Sequence, residues 1–237
     1  MSLDRVPEIP RPHRIKYQQE LRDLEESVLG GIDLVLEQVD RVTEALEHQD
    51  VELAQIVIAD DDRIDGRFLE VHQGILSMLA RQAPVAGDLR LVAALLHVIK
   101  HIERMGDQCV NVAKLIPLSG HEPPRRDDIV ERLLAMGQFA RSESLQARRA
   151  FAERDVELAG SLKTQDREVN RLNREIFQMA LAIGDDPDTR EWAMTMVLVA
   201  RALERIGDNA VDIGEQTAFV VTGLFREFTD SSHPATP

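Results

Sequence analysis

The chain has 237 residues, of which 43% are hydrophobic and only 4% aromatic, enough apolar side chain for one large or two small cores. Its formal charge of −14, from 42 acidic and 28 basic residues, excludes the basic face of a nucleic-acid binder and any direct attraction to an anionic membrane surface. No stretch approaches the roughly 20 uninterrupted apolar residues that cross a bilayer, and the N-terminus has no basic-then-apolar signal pattern. With Cys109 the single cysteine, no disulfide can form within the chain, and the expectation is a cytoplasmic protein in a reducing compartment.

In chain order, Pro7, Pro10 and Pro12 make residues 1–13 a poor helix and a mobile segment. From Leu21 the apolar positions Leu24, Val28, Ile32, Val35, Val39, Val42 and Leu46 advance mostly in steps of three and four, the stripe of a long bundle helix. Asp50 is a good N-cap for a second helix carrying Leu53, Ile56, Val57, Ile64, Phe68, Ile75 and Leu79 before Pro84 breaks it. A third runs from about Val85 through Val92, Leu95, Ile99, Ile102 and Val110 to Pro117. Gly120 and the pair Pro123-Pro124 punctuate a linker over residues 118–126. Three more helices follow: Asp127 to Glu153, Asp155 to about Ile183, and Asp188 to about Phe228, with residues 229–237 a mobile polar tail.

The two halves repeat each other. Glu103-Arg104-Met105-Gly106-Asp107 returns as Glu204-Arg205-Ile206-Gly207-Asp208 at an offset of 101, and Asp50-Val51-Glu52-Leu53-Ala54 returns letter for letter from Asp155 at an offset of 105. A shortened turn between helices accounts for the four-residue slip, since loops tolerate deletion and packed helices do not. The fold class expected is all-α: six long antiparallel helices forming two homologous three-helix bundles packed side by side, over residues 14–117 and 127–228.

Each pentad sets a carboxylate four residues before another on one helical stripe, which Asn111 and Asp212 extend by a further turn. Like charges at that spacing destabilise a helix by a few tenths of a kcal/mol, and a glycine inside a helix costs about 1 kcal/mol relative to alanine. Two readings are open: a tight helix crossing flanked by acids that pair with Arg104 and Arg205, or a cation site. The second helix offers a matching pair, Asp61 and Asp65, whose counterparts at offset 105 are Asp166 and Asn170. Facing pairs on neighbouring helices give four or more hard oxygen donors, suited to iron(III), manganese, magnesium or calcium and acceptable to zinc. Asp88, just after the break at Pro84, either adds an oxygen or caps the third helix, the cap being favoured. Cys109, with Ala210 as its counterpart, reads as a small packing residue. His97 and His101 lie one turn apart, but on the helical wheel they face away from Val92 and Ile99, so solvent exposure is expected.

The paired pentads, the segment Pro84-Val85-Ala86-Gly87-Asp88-Leu89-Arg90 and the Asp-x-x-x-Asp run together resemble the PhoU family over roughly Arg14 to Phe228. The resemblance implies two three-helix bundles that hold multinuclear clusters of iron or zinc, with manganese or magnesium as further options. It assigns one metal site to Asp61, Asp65, Glu103 and Asp107, and a second to Asp166, Glu204 and Asp208, with Asn111 and Asp212 as additional ligands. Neutral Asn170 departs from the acidic pattern and makes the second site the weaker. It implies further a non-enzymatic negative regulator of the phosphate-starvation response and phosphate uptake. Such a regulator acts with the phosphate ABC transporter ATPase and a sensor histidine kinase, often as a homodimer, and meets the membrane only through those partners. A helical adapter without metal and outside phosphate control is the alternative. A di-iron carboxylate enzyme is a more distant one, since no Glu here has a His three residues on.

Overall fold

The structure, a computed structural model, describes residues 12–82, 84–118, 124–225 and 227–228, with side chains from residue 15 onward. Six helices follow one another without a strand among the described residues: α1 Pro12–His48, α2 Val51–Arg81, α3 Ala86–Leu118, α4 Asp127–Glu153, α5 Val156–Leu181 and α6 Pro187–Thr222. Helices α1, α2 and α3 make one bundle and α4, α5 and α6 another. The bundles join where α3 lies against α6 and α1 against α4, while α2 and α5 each touch only helices of their own bundle. None of these helices is long and apolar enough to cross a membrane.

The repeated Asp-Val-Glu-Leu-Ala phrase turns out to be a corner. The carboxylates of Asp50 and Asp155 accept hydrogen bonds from the backbone N–H groups of Leu53 and Leu158, each at 2.9 Å, satisfying donors that the first helical turn leaves orphaned. The residues before them, Gln49 (φ 54°) and Arg154 (φ 57°), both take the left-handed conformation that reverses the chain between antiparallel helices. Replacing Asp155 by Ala is expected to cost about 1 kcal/mol in urea unfolding, as is Asp50→Ala. An unchanged midpoint in either variant would show that the cap contributes nothing.

Helix ends differ from the sequence expectation in two places. Helix α1 begins at Pro12, inside the segment expected to be non-helical, because proline's fixed φ suits a first helical position. Helix α6 stops at Thr222 rather than near Phe228, since Gly223 takes φ 75° and its N–H bonds back to the Phe219 carbonyl at 2.8 Å. Residues 1–11, 119–123 and 229–237, which hold most of the expected tails and linker, lie outside the described residues.

The core is continuous across both bundles. The stripe from Val28 through Ile32, Val35, Val39 and Val42 is buried, as are Ile64 and Ile75 of α2, although Ile56 and Leu79 turn outward. Phe151 is wholly buried, and the chain's single Tyr and single Trp, Tyr17 and Trp192, are buried one in each bundle. Along the α1–α4 seam three arginines meet three acids: Arg141 and Asp40 at 2.6 Å, Arg148 and Asp33 at 2.7 Å, and Arg154 and Glu25 at 2.5 Å. Such partly exposed pairs contribute roughly 0.2–1 kcal/mol each and serve chiefly to fix the register of the two halves.

Candidate metal centre

The α2–α3 pairing brings Asp61, Asp65, Glu103 and Asp107 together. Burial pushes the Asp61 carboxyl up to about 6, and the charges of Asp65, Asp107 and Glu103 push it the same way, while the amide of Gln38 on α1 favours the ionised form. Asp107 is likewise raised, by burial first and then by Glu103 and Asp65, against the pull of Lys100 and Lys114. Gly106 is what lets the helices come so close: a Cβ there would stand 2.9 Å from Asp61 Oδ1 and 3.0 Å from Ile64 Cδ1. Gly106 thus marks a close helix crossing with the Asp61 carboxylate beside it. Glu103 pairs not with Arg104 but with Lys100, one turn back, at 2.6 Å.

The second cluster sits at the equivalent place between α5 and α6. Asp166, Asn170, Glu204 and Asp208 line an open groove of about 710 Å³, together with Asp212. The Asn170 side-chain amide donates to Asp166 Oδ2 at 2.7 Å, and Glu204, nearly buried, pairs with Arg201 instead of Arg205. Lys163, Arg167 and Arg174 line the same groove, so it carries both signs of charge. Lys163 donates to the Phe228 carbonyl, and the Phe228 N–H donates to Glu215 Oε1 at 2.6 Å, which pins the segment after α6 back across the groove. Asp208 is raised chiefly by desolvation, with Asp212 adding to it and Arg201 and Arg205 opposing it.

One acid in this cluster was absent from the sequence reading. Glu143 on α4 is fully buried, and neither carboxylate oxygen has a hydrogen-bond partner. A Cβ at Gly207 would stand 2.5 Å from Glu143 Oε2 and 3.4 Å from Asp166 Oδ1, so the glycine gives the carboxyl its space. Burial, then the charges of Asp166 and Asp208, push Glu143 up to about 8.

The other predicted residues fall as follows. Asn111 is exposed in a groove between α3 and α6, with its amide 3.4 Å from Gln108 Oε1. Asp212 borders the second cluster and also faces the junction, where its Oδ2 is 3.3 Å from His101 Nδ1. His101 thus departs from its expected exposure: it is half-buried in the α3–α6 seam, with Nδ1 also 2.8 Å from Asn209 Oδ1, because that face of α3 packs against the other bundle. His97 is exposed. Asp88 lies in the first turn of α3 beside Tyr17, and fifteen residues of helix, about 22 Å, separate it from Glu103. Cys109 is buried, and burial with the nearby Asp61 charge pushes its thiol up, which keeps it unreactive.

As a cation site this chemistry fits in kind. The donors are hard oxygens, burial and neighbouring charge hold Asp61, Asp107, Glu143 and Asp208 above their ordinary values, and a bound cation would offset the negative charge gathered there. The side chains are not preset, since among the described residues no group of three or more His, Cys, Asp or Glu stands ready to hold a metal ion. Loading would therefore require the more exposed members, Asp65, Asp107 and Asp208, to change rotamer.

These features define a class, an all-helical tandem repeat with one acidic cluster between the second and third helices of each half. A profile of the PhoU domain matches residues 31–116 and again 133–217, and the chain belongs to the PhoU family. It is 31% identical over 216 residues to a phosphate-specific transport system accessory protein PhoU homolog of Clostridium acetobutylicum, covering 90% of this chain and 98% of that one. A like-named protein of Aquifex aeolicus is 32% identical over 201 residues, covering 81% and 86%. Among solved structures, the phosphate transport system regulatory protein PhoU from Streptococcus pneumoniae superposes with a TM-score of 0.82 at 25% identity, over 89% of this chain and 99% of that one. PhoU from Pseudomonas aeruginosa gives 0.79 at 30% identity, over 88% and 100%.

Proposed function

We propose that this chain is a metal-binding negative regulator of phosphate uptake and of the phosphate-starvation response. It works in the cytoplasm as a homodimer that docks on the phosphate ABC transporter ATPase and restrains the sensor histidine kinase. The names of its relatives as phosphate-specific transport system accessory proteins support the pathway. The observation that carries the metal reading is the pair of equivalent carboxylate clusters, with Asp61, Asp107 and Asp208 all held above the usual carboxylate range. Asp61, Asp65, Glu103 and Asp107 would hold iron, zinc or manganese in one half, and Asp166, Glu204 and Asp208 in the other. A bound cation supplies positive charge that ties α2 to α3 and α5 to α6, ordering the surface a partner meets. No catalytic role is assigned to any residue.

A helical adapter without metal is the second reading, favoured by Lys100 and Arg201, which already sit on Glu103 and Glu204. Elemental analysis separates the two. The purified chain is expected to carry stoichiometric iron, zinc or manganese, and Glu103→Ala/Asp107→Ala to carry less; equal and negligible metal in both would leave the adapter. For the regulatory role, deleting the gene is expected to switch on phosphate-starvation transcription in high phosphate. Unaltered transcription would remove that role even if metal were present.

A further inference from the structure

The two clusters match residue for residue under the internal repeat, and they differ in a compensated way. At offset 105, Gln38, Asp61 and Asp65 correspond to Glu143, Asp166 and Asn170; at offset 101, Glu103 and Asp107 correspond to Glu204 and Asp208. Gln38 stands near Asp61, and Glu143 Oε2 and Asp166 Oδ1 flank the same Gly207. Each cluster therefore holds four carboxylates and one amide, with the amide on the first helix of the first half and on the second helix of the second half. Glu143 is fully buried on α4, both its oxygens lack a hydrogen-bond partner, and its Oε2 is aimed at the notch that Gly207 opens beside Asp166. A buried carboxyl without a hydrogen-bond partner is costly as an anion unless it takes up a proton or a cation meets it.

We infer that Glu143 is a ligand of the second cation site, reaching it from the core side of α4 and supplying the charge that Asn170 does not. This rests on the cation reading above and alters its map: the second site is not the depleted one, and both sites take the same class of ion, a hard divalent or trivalent cation. Asn170 then acts as a positioning residue, its amide holding Asp166 by the 2.7 Å hydrogen bond.

The test uses the full chain carrying Glu103→Ala/Asp107→Ala, so that only the second site remains, stripped with chelator and titrated with manganese(II) alone by calorimetry. Adding Glu143→Gln is expected to weaken binding at least about tenfold while leaving the helical circular dichroism unchanged. Adding Asn170→Asp as well is expected to restore most of the affinity, which a merely structural effect of Glu143→Gln would not allow. Unweakened manganese binding in the Glu143→Gln protein, with binding abolished by Glu204→Ala/Asp208→Ala, would overturn this inference and leave the cation reading standing. Weakening without recovery in the Asn170→Asp combination would overturn the charge exchange. Absence of manganese binding in the unaltered chain as well as in the variants would overturn both this inference and the reading beneath it.

Discussion

In chelator, the chain is expected to lose stability steadily as pH rises from about 4.5 to about 8, and Glu143→Gln to flatten most of that loss. The sign follows from proton counting. Glu143 titrates near 8 in the fold and near 4.5, its ordinary value, once unfolded, so between those values the folded chain holds the extra proton. Raising the pH through that window favours the unfolded state, with the full cost present above about 8. A shift of that size corresponds to on the order of 4–5 kcal/mol, a large share of a domain's net stability. Asp61 adds a smaller decline of the same sign between 3.8 and about 6. At the acid end the sign reverses: Asp128 and Asp186, held low by hydrogen bonds from Arg126 and Thr189, give stability that disappears as pH falls through their lowered values. Urea unfolding at a series of pH values checks this, with an optimum expected on the acid side of neutrality. An equally steep alkaline decline in Glu143→Gln would place the cost elsewhere.

Gly207→Ala is expected to destabilise the protein by about 1–3 kcal/mol, the reverse of what glycine-to-alanine does in an ordinary helix. Alanine's helix preference offers about 1 kcal/mol. Against it, the new methyl would meet Glu143 Oε2 at 2.5 Å, and Glu143 is fully buried, with no solvent into which it could swing. Gly106→Ala should act in the same direction, because besides Asp61 Oδ1 the methyl meets the buried Ile64 at 3.0 Å. Gly66 and Gly160 are the controls: they sit in α2 and α5 with nothing within 4 Å of an added Cβ, and alanine there should stabilise by up to about 1 kcal/mol. Thermal melts of the four variants decide it, and a common sign across them would mean that the close approach at Gly106 and Gly207 carries no energy.

The six helices were legible because each carries buried apolar residues at the helical period, from Val28 to Val42 in α1 and from Val92 to Ile102 in α3. The repeat was legible because corners and pentads tolerate little change, as the twin caps at Asp50 and Asp155 show. Glu143 was not, since a lone Glu on a helix reads as surface, and only its register with Gln38 distinguishes it from its neighbours. The partners of Glu103 and Glu204 differ from those in the helix-crossing reading for a related reason: arginines follow them immediately in sequence, but adjacent helical residues point about 100° apart, and the groups one turn back, Lys100 and Arg201, are the ones within reach. His101 was placed in solvent because the wheel records only the core of its own bundle, whereas α3 has a second face committed to α6.

The single tyrosine and the single tryptophan have a practical consequence. Tyr17 lies in the first bundle and Trp192 in the second, each buried, so the unlabelled chain carries a separate intrinsic fluorophore in each half. Excitation at the red edge of the ultraviolet band reads the second half alone, and tyrosine emission reads the first. Events at one repeat can thus be told from events at the other without adding a dye or changing a residue.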